Sequence, residues 1–221
     1  MSRIPVILTC DLEPADRYTS LGEPGDWAGL EEVMAAISAL RPRLEKATDA
    51  PVHFNWFLRC DPQVERSYGS ATWLADRHGP ILRDLAAAGD ELGIHAHAYR
   101  WDDARGSWVI DHGNQDWVNH CIASSVDAYR KSFGCLPQAF RFGDHFMNNA
   151  TMAFIEHAGF RYDLTTEPGF ASAPGVVSTE SGTGGLPDYR RLPRAMYRPS
   201  RLDYQRPGLW LRRKIWIIPA S

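Results

Sequence analysis

Gly89-Asp90-Glu91-Leu92-Gly93-Ile94-His95-Ala96-His97 is the stretch from which the rest of the chain is read. A helical segment, Ala71 to Ala88, stops at a glycine, and a short apolar run, Glu91 to His97, follows at once. Runs of this length bounded by turn residues read as buried strands. The alternation continues upstream. A strand from Ile4 to Cys10 ends at Asp11, a helix from Trp27 to Lys46 repeats Leu30, Val33, Met34, Ile37 and Leu40 at helical steps, and Pro51 introduces a strand from Val52 to Leu58. Downstream come a helix at Asp116–Phe133 closed by Gly134, a strand at Ala139–Phe142, a helix at Asn149–His157 and a strand at Arg161–Thr165. Strand-then-helix order predicts an α/β protein with a parallel sheet, open or closed into a barrel. Glycine and proline crowd Gly169 to Pro187, which predicts a long loop lining the site, and a last strand is expected at Lys214–Ile218.

Two pairs stand at the C-terminal ends of the first and third strands: Asp11-x-Glu13 and His95-x-His97. On extended backbone, residues two apart project from one face, so each pair converges. The carboxyl ends of parallel strands are where such sheets place their ligands. Two neutral imidazoles and a carboxylate, with one position open to water, form a hydrolytic site for zinc or a similar divalent ion. The alternatives are a solvated carboxylate pair capping a turn and a hydrogen-bonded structural pair of histidines.

Composition narrows the partners. The 221 residues are 44% hydrophobic and 23% charged, the balance of one ordinary globular domain. A net charge of −3 gives no broad positive field for a phosphate backbone, so a small-molecule or glycan substrate is expected and nucleic acid is not. No apolar run approaches the roughly 20 residues of a membrane span. The first residues lack a signal-peptide layout, and a cytoplasmic location is the expectation. Cys10, Cys60, Cys121 and Cys135 are scattered without a C-x-x-C pair and read as reduced and structural. The sequence says nothing of oligomeric state.

These residues resemble a known family. Leu8-Thr9-Cys10-Asp11-Leu12-Glu13-Pro14 resembles the first motif of the polysaccharide deacetylases, the NodB-like carbohydrate esterases of family four, in a D-x-E form. Gly89 to His95 resembles their G-H-E-I-G-x-H motif, and Phe140-Arg141-Phe142-Gly143 resembles their R-x-P-Y-G segment. The run from Asn149 through Gly159-Phe160-Arg161-Tyr162-Asp163 is similar to the helix and strand that follow it, so the likeness covers roughly residues 4 to 166 in order. It implies a distorted (β/α) barrel of about seven parallel strands, spanning residues 1–221 as a single domain, that removes an acetyl group from an N-acetylated sugar with a metal-activated water. Carried across, Asp11 matches the catalytic base, Glu13 and His95 the metal ligands, and Arg141 the residue that orients and tunes the base.

The chain departs from the family in three places. The second family histidine falls at Tyr99, so His97 is the substitute ligand. Gly143-Asp144-His145 replaces P-Y-G, which turns Asp144 and His145 toward the site. The family's C-terminal motif, a leucine and a histidine that supply the general acid, is missing before Ser221: either the domain is C-terminally shortened, or a group such as His145 protonates the leaving amine, or activity is impaired. Tyr99, Asp144 and Trp101 are the expected substrate contacts, Trp101 by stacking on a sugar ring. The alternative functions are an allantoinase-like amidase acting on a non-sugar C–N bond and a non-catalytic sugar-binding protein.

Other residues carry less. His53 and the run Phe54-Asn55-Trp56-Phe57 read as core, and His112, His120 and His157 as surface or helix positions. The arginines 190, 191, 194, 198 and 201 suit a phosphate on an activated sugar, with a solvated charged loop as the default.

Overall fold

The computed structural model describes residues 6–16, 20–23, 25–172, 182–183 and 185–220. Six parallel strands form one sheet in chain order: β1 (Leu8–Leu12), β2 (Phe54–Arg59), β3 (Glu91–Ala96), β6 (Ala139–Phe142), β7 (Tyr162–Asp163) and β9 (Trp216–Ile217). The α/β parallel architecture expected from the sequence is present. β1 and β9 end the row, and no pairing joins them among the described residues. Helices α1 (Ala28–Thr48), α3 (Trp73–Ala87), α4 (Gln115–Phe133) and α5 (Asn149–Ala158) cross between strands. The aromatic run is core as expected, with Phe54, Trp56 and Phe57 all buried.

The register sets the site. Leu12 lies opposite Leu58, Arg59 opposite His95, and His95 opposite Arg141. Neighbouring strands sit about 4.8 Å apart, so Glu13, Arg59, His95 and Arg141 occupy one level across four strands at their carboxyl ends.

Several expectations shift. The first strand starts at Leu8 and runs through Asp11, while Ile4 lies outside the described residues. β2 reaches one residue further, to Arg59. An additional helix, α2 (Pro62–Tyr68), precedes α3: Asp61 caps it by accepting from the Gln63 and Val64 N–H groups, with Pro62 in the first turn. A hairpin of β4 (Tyr99–Asp102) and β5 (Ser107–Asp111) leaves the sheet directly after the histidines. Part of the expected Gly169–Pro187 loop lies outside the described residues, and its Gly182–Thr183 (β8) pairs with β5. His53 is exposed just before β2, because the strand begins one residue later. His112, expected at the surface, is buried, stacked on Phe146 at 4.2 Å after β5. Its ring packs against Phe142 and Phe146 at the end of β6, and that contact draws it inward.

Candidate metal centre

β1 and β3 bring the two pairs together. Glu13 Oε2 lies 3.4 Å from His97 Nε2 and 3.9 Å from His95 Nε2, and the two Nε2 atoms are 3.0 Å apart. Each imidazole is fixed from behind. His95 Nδ1 sits 3.1 Å from the Arg141 carbonyl, a pure acceptor, so Nδ1 carries the hydrogen. His97 Nδ1 faces the Asp144 carboxylate at 3.0 Å with the same consequence. Both Nε2 lone pairs therefore point at the same spot, and neutral rings so arranged repel unless a proton or a cation lies between them.

The local backbone explains why the rings hold this pose. His97 stacks on Tyr99, with centroids 4.9 Å apart and planes at 12°. Its other side lies against Gly143, where an added Cβ would meet the ring at 2.0 Å, so no larger residue fits. Asp144 and His145 follow with φ of 54° and 55°, left-handed conformations uncommon for non-glycine residues. That turn is what swings the Asp144 carboxylate back under His97.

Beneath the ligands lies a fully buried ion pair that sequence reasoning missed. Arg59 donates to both Asp61 oxygens, at 2.7 and 3.1 Å, and to Gln63 Oε1 at 2.6 Å, and its guanidinium reaches Glu13 at 3.4 Å. Asp61 also accepts from the His97 N–H at 3.1 Å, tying the ends of β2 and β3. The signal was legible: two charged residues, Arg59 and Asp61, close a strand rich in large apolar residues just before a proline.

Charge follows from these contacts. Burial pushes the Glu13 carboxyl up, but the hydrogen bond to His97 and the charges of His95, His97 and Arg59 outweigh it and hold it at about 2. Burial, then His97, drives His95 well below the usual imidazole range. Burial and Arg59 press His97 down too, yet Asp144 and Glu13 reverse this and raise it. The trio thus draws in one positive charge. Burial raises Asp11 despite Arg141, whose Nε is 3.4 Å from Asp11 Oδ2. Asp11 Oδ1 is buried and has no hydrogen-bond partner among the described residues.

Among the described residues, Glu13, His95 and His97 are the group arranged to hold a metal ion. Their separations are each shorter than twice a zinc–ligand bond of about 2.1 Å, so a single divalent ion can touch all three. The donor set fits.

The remaining expected residues divide. Arg141 lies beside Asp11, with Nη1 donating to Thr9 Oγ1 at 3.0 Å. His145 faces Glu167 at 3.7 Å and Phe170 at 4.9 Å, and its charge offsets a small part of the burial that raises Asp11. Tyr99 and Asp144, expected beside substrate, are turned onto His97, and the Tyr99 hydroxyl reaches Asp144 at 3.5 Å. Tyr99 is buried, which leaves it no face for a ligand. Trp101 packs edge-on against Trp108 in the hairpin with Arg66 above it, rather than beside the ligands. The arginine cluster does not converge: Arg190 is paired to Asp188 and Arg198 lies over Trp216.

No family model and no curated protein matches the chain. Among solved structures it is similar to a Mycobacterium smegmatis protein assigned as a polysaccharide deacetylase, at 15% identity and TM-score 0.46 over 97% of this chain and 58% of that one. It is also similar to IcaB from Ammonifex degensii (17%, TM-score 0.43, 66% of this chain and 57% of that one). A third is Puue allantoinase (17%, TM-score 0.44, 81% of this chain and 41% of that one). The chain thus spans less than two thirds of each of these structures. No helix among the described residues is long and apolar enough to cross a membrane.

Proposed function

We propose that the chain is a divergent polysaccharide deacetylase: a metal-dependent hydrolase that removes an acetyl group from an N-acetylated sugar or a sugar-containing intermediate. The observation that carries this reading is the convergence of the Glu13 carboxylate with two tautomer-fixed imidazoles, His95 and His97, beside a buried Asp11 oxygen that has no hydrogen-bond partner among the described residues. Glu13, His95 and His97 would hold a divalent ion, with zinc the natural fit for this donor set, and the ion would supply Lewis acidity to an amide carbonyl and acidify water.

The chain's own residues do the rest. Asp11, its carboxyl raised by burial, accepts the proton of the attacking water. Arg141 holds that carboxylate in place. The water oxygen bonds to the acyl carbon and the C–N bond breaks. His145, which stands at the same rim on a turn of positive φ, gives its own proton to the departing amine; the proton held by Asp11 is then released and His145 takes one up, so both groups return to their starting state. Asp144 and Tyr99 lock His97, and Arg59 with Asp61 sets the level of Glu13.

Acetate release from N-acetylated amino sugars, measured beside metal content, tests this. Wild type retains about one divalent ion per chain and releases acetate, and His95→Ala does neither. Protein that binds no divalent ion, or a His95→Ala variant with undiminished release, would overturn the assignment. Hydrolysis of a cyclic ureide supplied as a parallel substrate, with no acetate released from the sugars, would redirect it to amidase chemistry.

A further inference from the structure

Away from the metal centre, the segment 190–214 collects nine of the chain's 24 Lys and Arg residues but only one of its 27 carboxylates, Asp203. Within it Trp210 is 96% exposed, Leu209 83% and Leu202 75%, with Leu211 also exposed. Large apolar side chains are normally withdrawn from water, and a cluster of four at such exposure marks a surface that meets something.

The cluster is displayed by a built loop rather than a frayed one. Gly208 and Arg212 close its base, so tightly that a Cβ at Gly208 would sit 2.6 Å from the Arg212 Cα. Backbone bonds from Gly208 to Arg198, Arg201 to Leu211, and Arg213 to Pro199 lace the base together. Below it the buried Arg213 guanidinium is anchored on Glu156 at 3.0 Å. Three consecutive apolar residues, 209–211, are thereby forced outward, with Leu202 brought alongside by the Arg201–Leu211 bond. Arg201, Arg212 and Lys214 surround this tip and are themselves exposed.

We infer that this knob docks the protein on an anionic lipid bilayer, with Leu209, Trp210 and Leu211 entering the headgroup boundary and the surrounding cations meeting lipid phosphates. Tryptophan and leucine ringed by arginine and lysine is the composition that partitions into a membrane interface. Stacking the same knob from a second copy against itself would oppose like charges, which disfavours a symmetric dimer. The segment packs along α5: the Leu202 carbonyl accepts from Asn149 Nδ2 at 2.9 Å at the helix start, and Arg213 reaches Glu156 near its end.

Co-sedimentation of the full chain with vesicles of phosphatidylcholine alone, or of phosphatidylcholine with phosphatidylglycerol, tests the inference without reference to catalysis. Wild type should bind the anionic vesicles at least about tenfold more strongly, and added salt should weaken binding. Replacing Leu209, Trp210 and Leu211 together by serine should cost about tenfold in partitioning, with unchanged circular dichroism because these side chains support nothing. Arg201→Glu with Arg212→Glu should abolish the preference for anionic lipid while leaving the apolar tip intact. Failure of wild type to bind phosphatidylglycerol vesicles, or equal binding by the serine variant, would overturn the proposal. So would light scattering in which the serine variant merely turns a dimer into monomers, since the knob would then be a self-association surface.

Discussion

The sheet carries a buried carboxylate–arginine pair at each end, and the two differ in how they close. At the amino end, before β3, Asp90 accepts two bonds from Arg41 (2.6 and 2.9 Å), one from the Phe54 N–H and one from the Trp56 indole, so its oxygens are saturated. At the carboxyl end Arg59 and Asp61 are as tightly paired, but the network continues through Glu13 to two histidines whose lone pairs meet at one point. The first network is complete as it stands. The second is complete only around a cation, and that difference is what separates a clamp from a site.

Removing a ligand should break the contrast outright. His95→Ala deletes one convergent nitrogen, and about a thousandfold or greater loss of hydrolysis is expected with loss of bound metal. Metal analysis and turnover on the same preparation check this. Asp61→Ala and Asp90→Ala then compare the two ends directly. Each strands a buried or half-buried arginine and should cost about 3–5 kcal/mol in chemical unfolding. Only Asp61→Ala should also weaken metal retention, because only Asp61 holds the His97 backbone and the arginine beneath Glu13. Equal metal loss in both variants would mean that the two ends do not differ in kind.

A finer probe leaves the backbone alone. Asp144 sits in the left-handed region, which asparagine tolerates, so Asp144→Asn removes charge without disturbing the turn. The expected result is about a 10- to 100-fold loss of metal affinity, since the group behind a ligating imidazole sets its tautomer and basicity. Chelator competition reads it. Unfolding free energy should move far less.

How far the sequence foretold these ends differs between them. The strand–helix order and the two x-spaced pairs were legible because they depend on periodicity and on the single fact that alternate residues share a strand face. Asp90 lay within a recognised motif, yet nothing local says that its partner is Arg41, 49 residues earlier. Arg59 and Asp61 escaped because charged residues after an apolar strand read as its solvent-facing end, whereas here a helix cap and a parallel register fold both inward. The roles of Tyr99 and Asp144 turned on one conformational detail, two consecutive residues at positive φ, which only the close approach of Gly143 to His97 demands.

A third buried carboxylate sharpens the comparison by lacking what both ends possess. Asp163, on β7, accepts a bond from the Thr165 hydroxyl at 2.6 Å, while among the described residues its other oxygen has no hydrogen-bond partner and no cation pairs with it. Burial lifts its carboxyl to about 7, and neither Thr165 nor the more distant Arg141 charge offsets this. An unfolded aspartate titrates near 3.9, so between about pH 4 and pH 7 the native state holds a proton that the unfolded state has released. Stability is therefore greatest below that window and falls as pH rises through it, by at most about 1.4 kcal/mol per pH unit from this one group. Asp163→Asn keeps the acceptor for Thr165 and cannot ionise. Its unfolding free energy should be flatter than wild type between about pH 5 and about pH 7 and higher than wild type near pH 8. Urea titrations across that range decide it: two parallel curves would mean that Asp163 ionises in the folded protein as freely as in the unfolded chain, which a carboxylate without a counterion in this interior should not do.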